Sequence, residues 1–569
     1  MVSRKDITAV CIPPSSSLKE ALDIAARNDP EKSGIPAGIV LVVDERQKLL
    51  GIATSGDLLR AVAKGTPLSR PVTMAMNRDP FVVVGKMQAG EIIRQAIKET
   101  REKGRHKGRF DKVVVVDRQR RVIDLVDLYD IWQASDVRLR RVGIVGLGYV
   151  GLTLGITLAD VGFKVYGFDT NAQVRKMVAS KKPHFLEVGL PELMREHVGK
   201  KLFPVDSLKA HPCEAYIIAV GTPLSADKKP DFAYLRSAAL TVGKVLKQGD
   251  VVILRSTVPM GTTRGIVVPV LEKASGLVAG DDFYVAFAPE RTVEGRALEE
   301  LRNLPQIIGG INRASANIAA DIFNLMTRTI HVVDTLEEAE IVKLINNTYR
   351  DVTFAFANEV ALICQKWGVD TNKVIEAANA GYPRSLVPKP SPGVGGYCLD
   401  KDPYIFIEGA REKNYEPALF HHARQVNVRI LDEVGRHIIE HVQPRGKDAK
   451  IFILGFAFKG RPATSDLRGS TTLALLRKLQ AAGFKNIHGF DAVVPGSELR
   501  HFKVKPSGVE RGFAGADAVI IMNNHEAHDK LDIVRLLRKA KKGVLFYDTW
   551  ALHHPAEVAK VAHVHHKRL

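Results

Sequence analysis

Cysteine is scarce in this chain. Four residues scattered through 569 make no disulfide framework, and a reducing cytoplasm is the expected compartment. Long apolar runs are missing too. Nothing approaches the ~18 to 20 consecutive apolar residues of a membrane span, and the opening Met1-Val-Ser-Arg-Lys-Asp6 has no signal-peptide core. No membrane partner is expected. The 12 Tyr and 3 Trp form no stacking array, and the excess of 82 Lys and Arg over 63 Asp and Glu is dispersed rather than gathered into a patch. The net charge of +19 therefore suits anionic small molecules and not nucleic acid, and no metal is assigned. The basic end, His563 to Leu569, reads as a solvated tail. What remains is an ordinary composition, 45% hydrophobic and 25% charged, at a length too great for one core.

Two kinds of pattern divide that length. Over residues 1–137, Gly38-Ile-Val-Leu-Val-Val-Asp44 reads as a buried strand, Leu49-Leu-Gly-Ile-Ala53 as its hairpin partner and Ser55 onward as a helix. About seventy residues later Val113-Val-Val-Val-Asp117 and Arg121 to Val126 repeat the strands, with Asp127 to Trp132 in the helical place. From Val142 apolar strands alternate with amphipathic helices, the signature of a parallel sheet, through residues 138–334. Leu336 to Trp367 then holds helical periodicity without Pro or Gly and opens a helical region, 335–445. A second alternating region fills 446–569, with strands expected at Ile451, Asn486, Ala518 and Val544. The fold class expected is α/β, with two nucleotide-binding sheets around a helical middle.

Gly146-Leu-Gly-Tyr-Val-Gly151 follows one predicted strand and opens a helix, and Asp169 ends the next strand eighteen residues past Gly151. In that context Gly146 permits the turn, Gly148 admits a pyrophosphate and Gly151 lets helix and strand approach. Asp169 would accept hydrogen bonds from a ribose and repel a 2′-phosphate, so NAD is favoured over NADP, although Arg175 could soften the preference. Tyr149, Val150 and, further on, Thr222 are counted with this cofactor site.

Pro392-Gly-Val-Gly-Gly-Tyr-Cys-Leu-Asp-Lys-Asp402 sets Cys398 after paired glycines and before an acid. Bare backbone at Gly395 and Gly396 would let a substrate approach, and a helix opening beyond them would lower the thiol pKa. Glu340, Lys343 and Asn347 fall on one face of the long predicted helix.

Read with Val220-Gly-Thr-Pro-Leu, Ser256-Thr-Val-Pro-Met-Gly-Thr-Thr, Ala288-Pro-Glu-Arg and Gly455-Phe-Ala-Phe-Lys, these blocks resemble the nucleotide-sugar 6-dehydrogenases, in motif order, over about residues 140 to 550. The resemblance implies an NAD-binding domain, a central helical dimerisation domain and a UDP-binding domain. It also implies oxidation of a UDP-sugar C6 alcohol to the acid in two hydride transfers, as in polysaccharide biosynthesis. It makes Cys398 the nucleophile, Lys343 and Asn347 oxyanion donors, and Asp402 a base or water-orienting group. Glu290 and Glu294, one turn apart if helical, and Thr257 lie near the hydrolytic water. Lys459 and Arg468 go to the diphosphate, and Arg384 to the site of a second subunit, hence a homodimer or higher homo-oligomer.

The N-terminal region resembles a tandem pair of CBS domains. Thr54 and Asp57 stand where that family binds the phosphate and ribose of an adenine nucleotide, and Asp124-Leu-Val-Asp replaces the motif in the second half. Packing without a ligand is the alternative there.

Tyr397 stands where many relatives have His or Ser, and Gly469 where Glu is frequent. The thiol block resembles members acting on UDP-N-acetylmannosamine or UDP-N-acetylglucosamine more than UDP-glucose members. The alternatives are UDP-glucose as substrate, a two-electron hydroxy-acid type of enzyme, and an adenine-nucleotide sensor on an inactive scaffold.

Overall fold

A β-branched run, Ile39–Val43 (β2), and a mixed apolar one, Leu49–Thr54 (β3), pair as an antiparallel hairpin, with Cys11–Ile12 (β1) parallel to β2. The turn between them is made by Asp44, whose Oδ1 accepts the amides of Arg46 and Lys48, both at 2.9 Å, while Gln47 takes a φ of 60°. The hairpin recurs at a constant offset. Val82–Val84 (β4), Lys112–Val116 (β5) and Val122–Asp127 (β6) have the same topology, Asp117 Oδ1 accepts the amides of Gln119 and Arg121 at 2.9 and 2.8 Å, and Arg120 has a φ of 64°. Both hairpins shift register at the corresponding step, Val42/Val43 and Val115/Val116. They meet about a local two-fold: Lys48 bridges Arg121, Leu49 N donates to Arg120 O at 3.0 Å and Val122 N to Gln47 O at 3.2 Å. Ile39, Leu41, Val114 and Val116 share one core across that axis.

The structure, a computed structural model, describes residues 7–27, 35, 38–80, 82–85, 112–127, 140–384 and 386–569. The helix expected from Asp127 to Trp132 lies outside the described residues, apart from Asp127 itself, which ends β6. The chain divides into two compact units, Met1–Arg140 with Lys247–Asp250 and Leu277–Tyr284, and the remainder.

In the second unit the alternating pattern becomes two sheets. The first contains Arg141–Val145 (β7), Lys164–Phe168 (β8), Leu202–Val205 (β9), Ala215–Ile218 (β10), Val251–Leu254 (β11), Tyr284–Phe287 (β12), Gln306–Gly310 (β13) and Ile330–Val333 (β14). Their spatial order is β14-β13-β12-β11-β10-β7-β8-β9, with β12 and β13 antiparallel. Order reverses between β7 and β10, the switch point where open α/β sheets bind ligands. The second sheet, Ile451–Leu454 (β15), Ile487–Phe490 (β16), Lys505–Pro506 (β17), Ala518–Ile521 (β18), Val544–Asp548 (β19) and Val564–Arg568 (β20), is parallel throughout in the order β17-β16-β15-β18-β19-β20. Apolar cores cover both its faces. Strands so buried are near-continuous apolar runs, which is why they were legible.

The last strand corrects the reading of a solvated tail. Residues 564 to 568 complete the second sheet, Leu569 is buried in its core, and Asn372 Nδ2 donates to the Leu569 carbonyl at 2.7 Å. The basic run His565-His-Lys-Arg568, with no buried position, hid a strand whose pairing is supplied by β19.

Between the sheets runs the 32-residue helix Leu336–Trp367. Thr335 caps it in a reciprocal box with Glu338, Gly368 ends it in a left-handed conformation, and it packs along the helix Ala418–Val442. Among the described residues no helix is long and apolar enough to cross a membrane.

Candidate active site

At the end of β7, Gly146 has a φ of 97°, and a Cβ on Gly151 would fall 1.8 Å from the Gly146 carbonyl oxygen, so only glycine permits this turn into the helix Tyr149–Asp160. Gly148 is the N-cap, and Val150 lies in the helix's first turn. Asp169, at the end of β8, accepts the Leu147 and Asn171 amides at 2.8 Å each. The guanidinium of Arg175 donates to the Asp169 backbone carbonyl. The hydroxyls of Thr222 and Ser256, just past β10 and β11, are buried without a hydrogen-bond partner. Buried orphans of this kind at a switch point fit a dinucleotide. Tyr149 does something else: its hydroxyl donates to Glu187, which also accepts the amides of Gly295 and Ala297 at 2.8 Å each. It locks the segment that carries Glu294, and burial raises its own pKa steeply.

The thiol loop is built by close backbone approach. A Cβ on Gly395 would meet the Gly469 oxygen at 2.5 Å, one on Gly396 the Phe458 ring at 2.6 Å, and Gly396 N donates to Gly469 O at 3.1 Å. The paired glycines thus also serve the packing of residues 458 and 469, a need the sequence did not show. Gly469, with a φ of 64°, has the same reason to lack a side chain.

Past these glycines Cys398 keeps contact with solvent, and its carbonyl accepts the Asp402 amide at 2.8 Å as the helix Asp402–Arg411 begins. Asp402 is fully buried. Asn347 Nδ2 donates to its Oδ2 at 2.6 Å, and the Lys401 ammonium lies 2.9 Å from its Oδ1. Lys343, buried one helical turn before Asn347, is close enough to act electrostatically on both Cys398 and Glu290. The thiol is not lowered as expected. Desolvation raises it, the carboxylates Asp402 and Glu294 add to that, and Lys343 and Lys401 pull against them without prevailing. Although the sulfur touches solvent, dense protein surrounds it, and the raised direction follows from that wall.

Glu340 parts from its two helix-mates. Its carboxylate accepts the amide of Gly261 at 2.5 Å and the amide and hydroxyl of Thr263 at 2.8 and 2.5 Å, so it anchors a loop, and burial pushes it up to about 7. Glu290 and Glu294 also separate, because residues 288–293 are not helical. Burial disfavours the Glu290 carboxylate, but the fully buried Arg255, 2.7 Å away, and the Thr292 amide hold its pKa below the usual range. Glu294 faces the other way, with Thr464 Oγ1 at 3.4 Å and Arg468 at 3.6 Å from its carboxyl oxygens. Burial first, then Asp466, pushes Glu294 up to about 7 against the pull of Arg468 and Lys459. Thr257 is half-buried past β11.

Lys459 Nζ donates to the Glu294 carbonyl at 2.8 Å and, with Arg350, Lys389 and Arg461, makes a cationic wall to a cavity of about 620 Å³ that also includes Trp550 and the backbone of Gly395. Arg468 lies on the same side but is held bidentately by Asp466 at 2.6 and 2.9 Å. Arg384 is exposed, 4.8 Å from the Tyr382 ring, and joins no part of the thiol cluster within its own chain.

In the first unit Thr54 and Asp57 satisfy each other. Thr54 Oγ1 accepts the Asp57 amide at 3.2 Å, Asp57 Oδ2 accepts the Thr54 amide at 3.0 Å, and Arg60 pairs with Asp57 at 2.6 Å. This is a capping box for the helix Ser55–Ala63.

Sequence reading missed Arg255, Glu187, Lys401 and Arg424. Lys401 and Arg255 stand inside or beside quoted blocks, but a lone cation in sequence gives no sign of burial. Glu187 and Arg424 act over separations of more than 20 residues, where a single sequence carries no signal.

Comparison with known proteins agrees with this geometry. Three descriptions of the UDP-glucose/GDP-mannose dehydrogenase family match the chain: NAD binding domain at residues 140–327, central domain at 337–429 and UDP binding domain at 452–555. A CBS domain matches residues 2–64. The UDP-N-acetyl-D-mannosamine dehydrogenase of Pyrococcus horikoshii is 36% identical over 392 residues, covering 68% of this chain and 89% of that protein. An NDP-N-acetyl-D-galactosaminuronic acid dehydrogenase of Ralstonia solanacearum is 32% identical, covering 71% and 95%. The solved UDP-D-ManNAc dehydrogenase of Pyrococcus horikoshii superposes with a TM-score of 0.68 at 32% identity, covering 75% of this chain and 98% of that one.

Proposed function

The chain belongs to the UDP-glucose/GDP-mannose dehydrogenase family and is an NAD-dependent UDP-sugar dehydrogenase, and from that premise we propose that it oxidises the C6 hydroxyl of a UDP-N-acetylhexosamine, UDP-N-acetylmannosamine or UDP-N-acetylglucosamine, to the uronate. The observation that carries the reading is the clustering of Lys343, Asn347, Lys401 and Asp402 around a solvent-contacting Cys398.

NAD, when bound at the β7–β10 switch point, supplies the hydride acceptor for each oxidation. The residues do the rest. Lys343 and Asn347 steady the oxygen on C6 as it loses its proton. Cys398 adds its sulfur to the aldehyde carbon, giving a thiohemiacetal. Loss of hydride and a proton from that adduct leaves a thioester, and water cleaves it to the carboxylate and free thiol. Glu294 is the base for that water, since it stands between protonation states at neutral pH. Lys459, with Arg350 and Arg461, takes the diphosphate in the cationic cavity. The experiment is a panel of UDP-sugars followed by NADH absorbance and product analysis. Two NADH per sugar with the N-acetylhexosamines preferred is expected; preference for UDP-glucose selects that alternative, and one NADH with release of a ketone refutes the reaction.

Glu294 gives a pH prediction with a definite sign. A base that must be deprotonated loses activity as pH falls through its pKa, so kcat, which contains the hydrolytic step, should show an acid limb near pH 7. Glu294→Gln should abolish that limb and lower kcat by about 10²-fold. Persistence of the limb in this variant would move its origin to Glu340, which is pushed to the same value.

The long helix supports a dimer. Ile345, Tyr349, Phe356, Ile363 and Trp367 form an exposed apolar stripe along it, with Trp367 80% exposed. We infer that a second copy covers this face and that Arg384 of each copy reaches the other's site. Sedimentation at about the monomer mass at micromolar concentration would refute this. At the N-terminal unit an adenine nucleotide is proposed for the Thr54–Asp57 end alone, because Asp127 occupies the place of Thr54 in the second half. Calorimetry with ATP, ADP and AMP on the full chain checks it, and absence of heat leaves the capping box as the whole role.

A further inference from the structure

Tyr397 precedes the thiol and touches both halves of the cleft. Two cations lie over its ring, the Arg468 guanidinium carbon from the UDP side at 4.6 Å and the Lys401 ammonium from the thiol loop itself at 5.4 Å from its centroid. Arg468 is itself fixed by Asp466, and Lys401 by Asp402, so both cations are held from behind. On the cofactor side the phenol ends against Gly221. A Cβ placed on Gly221 would lie 2.9 Å from the Tyr397 hydroxyl oxygen, and only atoms of Tyr397 come within 4 Å of it. Gly221 is outside the left-handed region, so among the described residues beyond its chain neighbours Tyr397 is the one obstacle to a side chain there. The next residue, Thr222, carries the buried hydroxyl without a partner.

A tyrosine has two side-chain torsions, and here one end of its ring system is stacked while the other is stopped. A serine at this position would reach neither contact. We propose that Tyr397 is a positioning residue that sets the gap between the thiol loop and the cofactor loop, its ring clamped by Arg468 and Lys401 and its hydroxyl stopped by Gly221. The inference rests on Cys398 as the nucleophile. The side chain beside the thiol spans from one domain to another.

The test is a double-mutant cycle on the full chain, read as steady-state kcat and UDP-sugar KM at saturating NAD. Tyr397→Ala should lower kcat by about tenfold or more, with KM changed by less than about threefold, since a displacement of about 1 Å at reacting groups costs up to about 10²-fold. Gly221→Ala should lower kcat about tenfold with Tyr397 present but less than about twofold in the Tyr397→Phe background, where the obstructing oxygen is gone. Tyr397→Phe alone should cost about two- to threefold, because the stacked ring remains. An equal Gly221→Ala penalty in both backgrounds overturns the proposal. So does a Tyr397→Ala effect confined to KM, which would assign the residue to sugar binding. The suppression is scored on NADH formation, so it stands or falls separately from the acid-forming role of Cys398, which Cys398→Ala tests.

Discussion

Cys398→Ala is expected to reduce uronate formation by at least about a thousandfold, which is about 4 kcal/mol on the barrier at about 1.36 kcal/mol per decade. The first oxidation needs no thiol, because removal of hydride from C6 requires only a base-assisted alkoxide stabilised by Lys343 and Asn347. With an aldehyde trap present, the variant should therefore still yield NADH, at one equivalent per sugar instead of two. Cys398→Ser tests the same step more finely. Its hydroxyl can add to an aldehyde, but the resulting ester is a poorer acyl donor than a thioester, so acid should form slowly and the acyl-enzyme should accumulate. Full acid formation by the alanine variant would end the covalent reading and favour hydration of the free aldehyde. The raised thiol pKa adds a chemical check: with no substrate bound, alkylation by iodoacetamide at pH 7 should be slower than for a free thiol and should climb with pH beyond the ordinary thiol range.

What could be read from the chain follows how local each signal is. Of the two sheets β9, β13, β14 and β17 went unread, while strands such as β10, β11, β15 and β18 were legible because burial on two faces makes them continuous apolar runs, and Leu336–Trp367 because 32 residues without Pro or Gly hold one period. β20 was not, since a strand of His, Lys and Arg exists only through its pairing with β19. Residue types at Cys398, Asn347 and Asp402 were legible through their spacing, and the structure does bring them together. Their electrostatics were not. A helix start after the thiol suggested a lowered pKa, but burial raises it, and Asp402, which opens that same helix, and Glu294, on a different loop, add to the rise and reverse the sign. The equivalence of Glu290 and Glu294 failed for a related reason. Four residues apart in sequence, they are divided by Arg255, whose partner could be known only from how β11 meets the loop after β12.

Arg424→Ala is expected to be the most destabilising single substitution near the site, by about 3–5 kcal/mol, because it leaves a buried carboxylate without its partner. Arg424 is 2% exposed. Its Nη1 donates to Asp351 Oδ1 at 2.7 Å and to the Leu399 carbonyl at 3.2 Å, and its Nη2 to Asp400 Oδ1 at 2.9 Å. One guanidinium thus ties the long helix to the two residues that follow Cys398. A lysine cannot make this fork, so Arg424→Lys should recover part of the stability but little of the activity. The pH dependence identifies the cause. Burial already raises the Asp351 pKa against the pull of Arg424, and removing Arg424 raises it further. A folded-state carboxyl pKa above the unfolded value means that the folded protein binds the proton more tightly, so stability is regained as pH falls through that raised pKa. The deficit of the variant relative to the wild type should therefore be widest at pH 8 and narrow toward pH 5 in denaturant unfolding. A deficit that is constant or grows on acidification would show that the lost contacts to Leu399 and Asp400, and not the stranded Asp351 charge, dominate. Arg424→Ala combined with Asp351→Asn should then separate the two: removal of the charge should restore a large part of the stability at pH 8, while the unanchored thiol loop keeps kcat low.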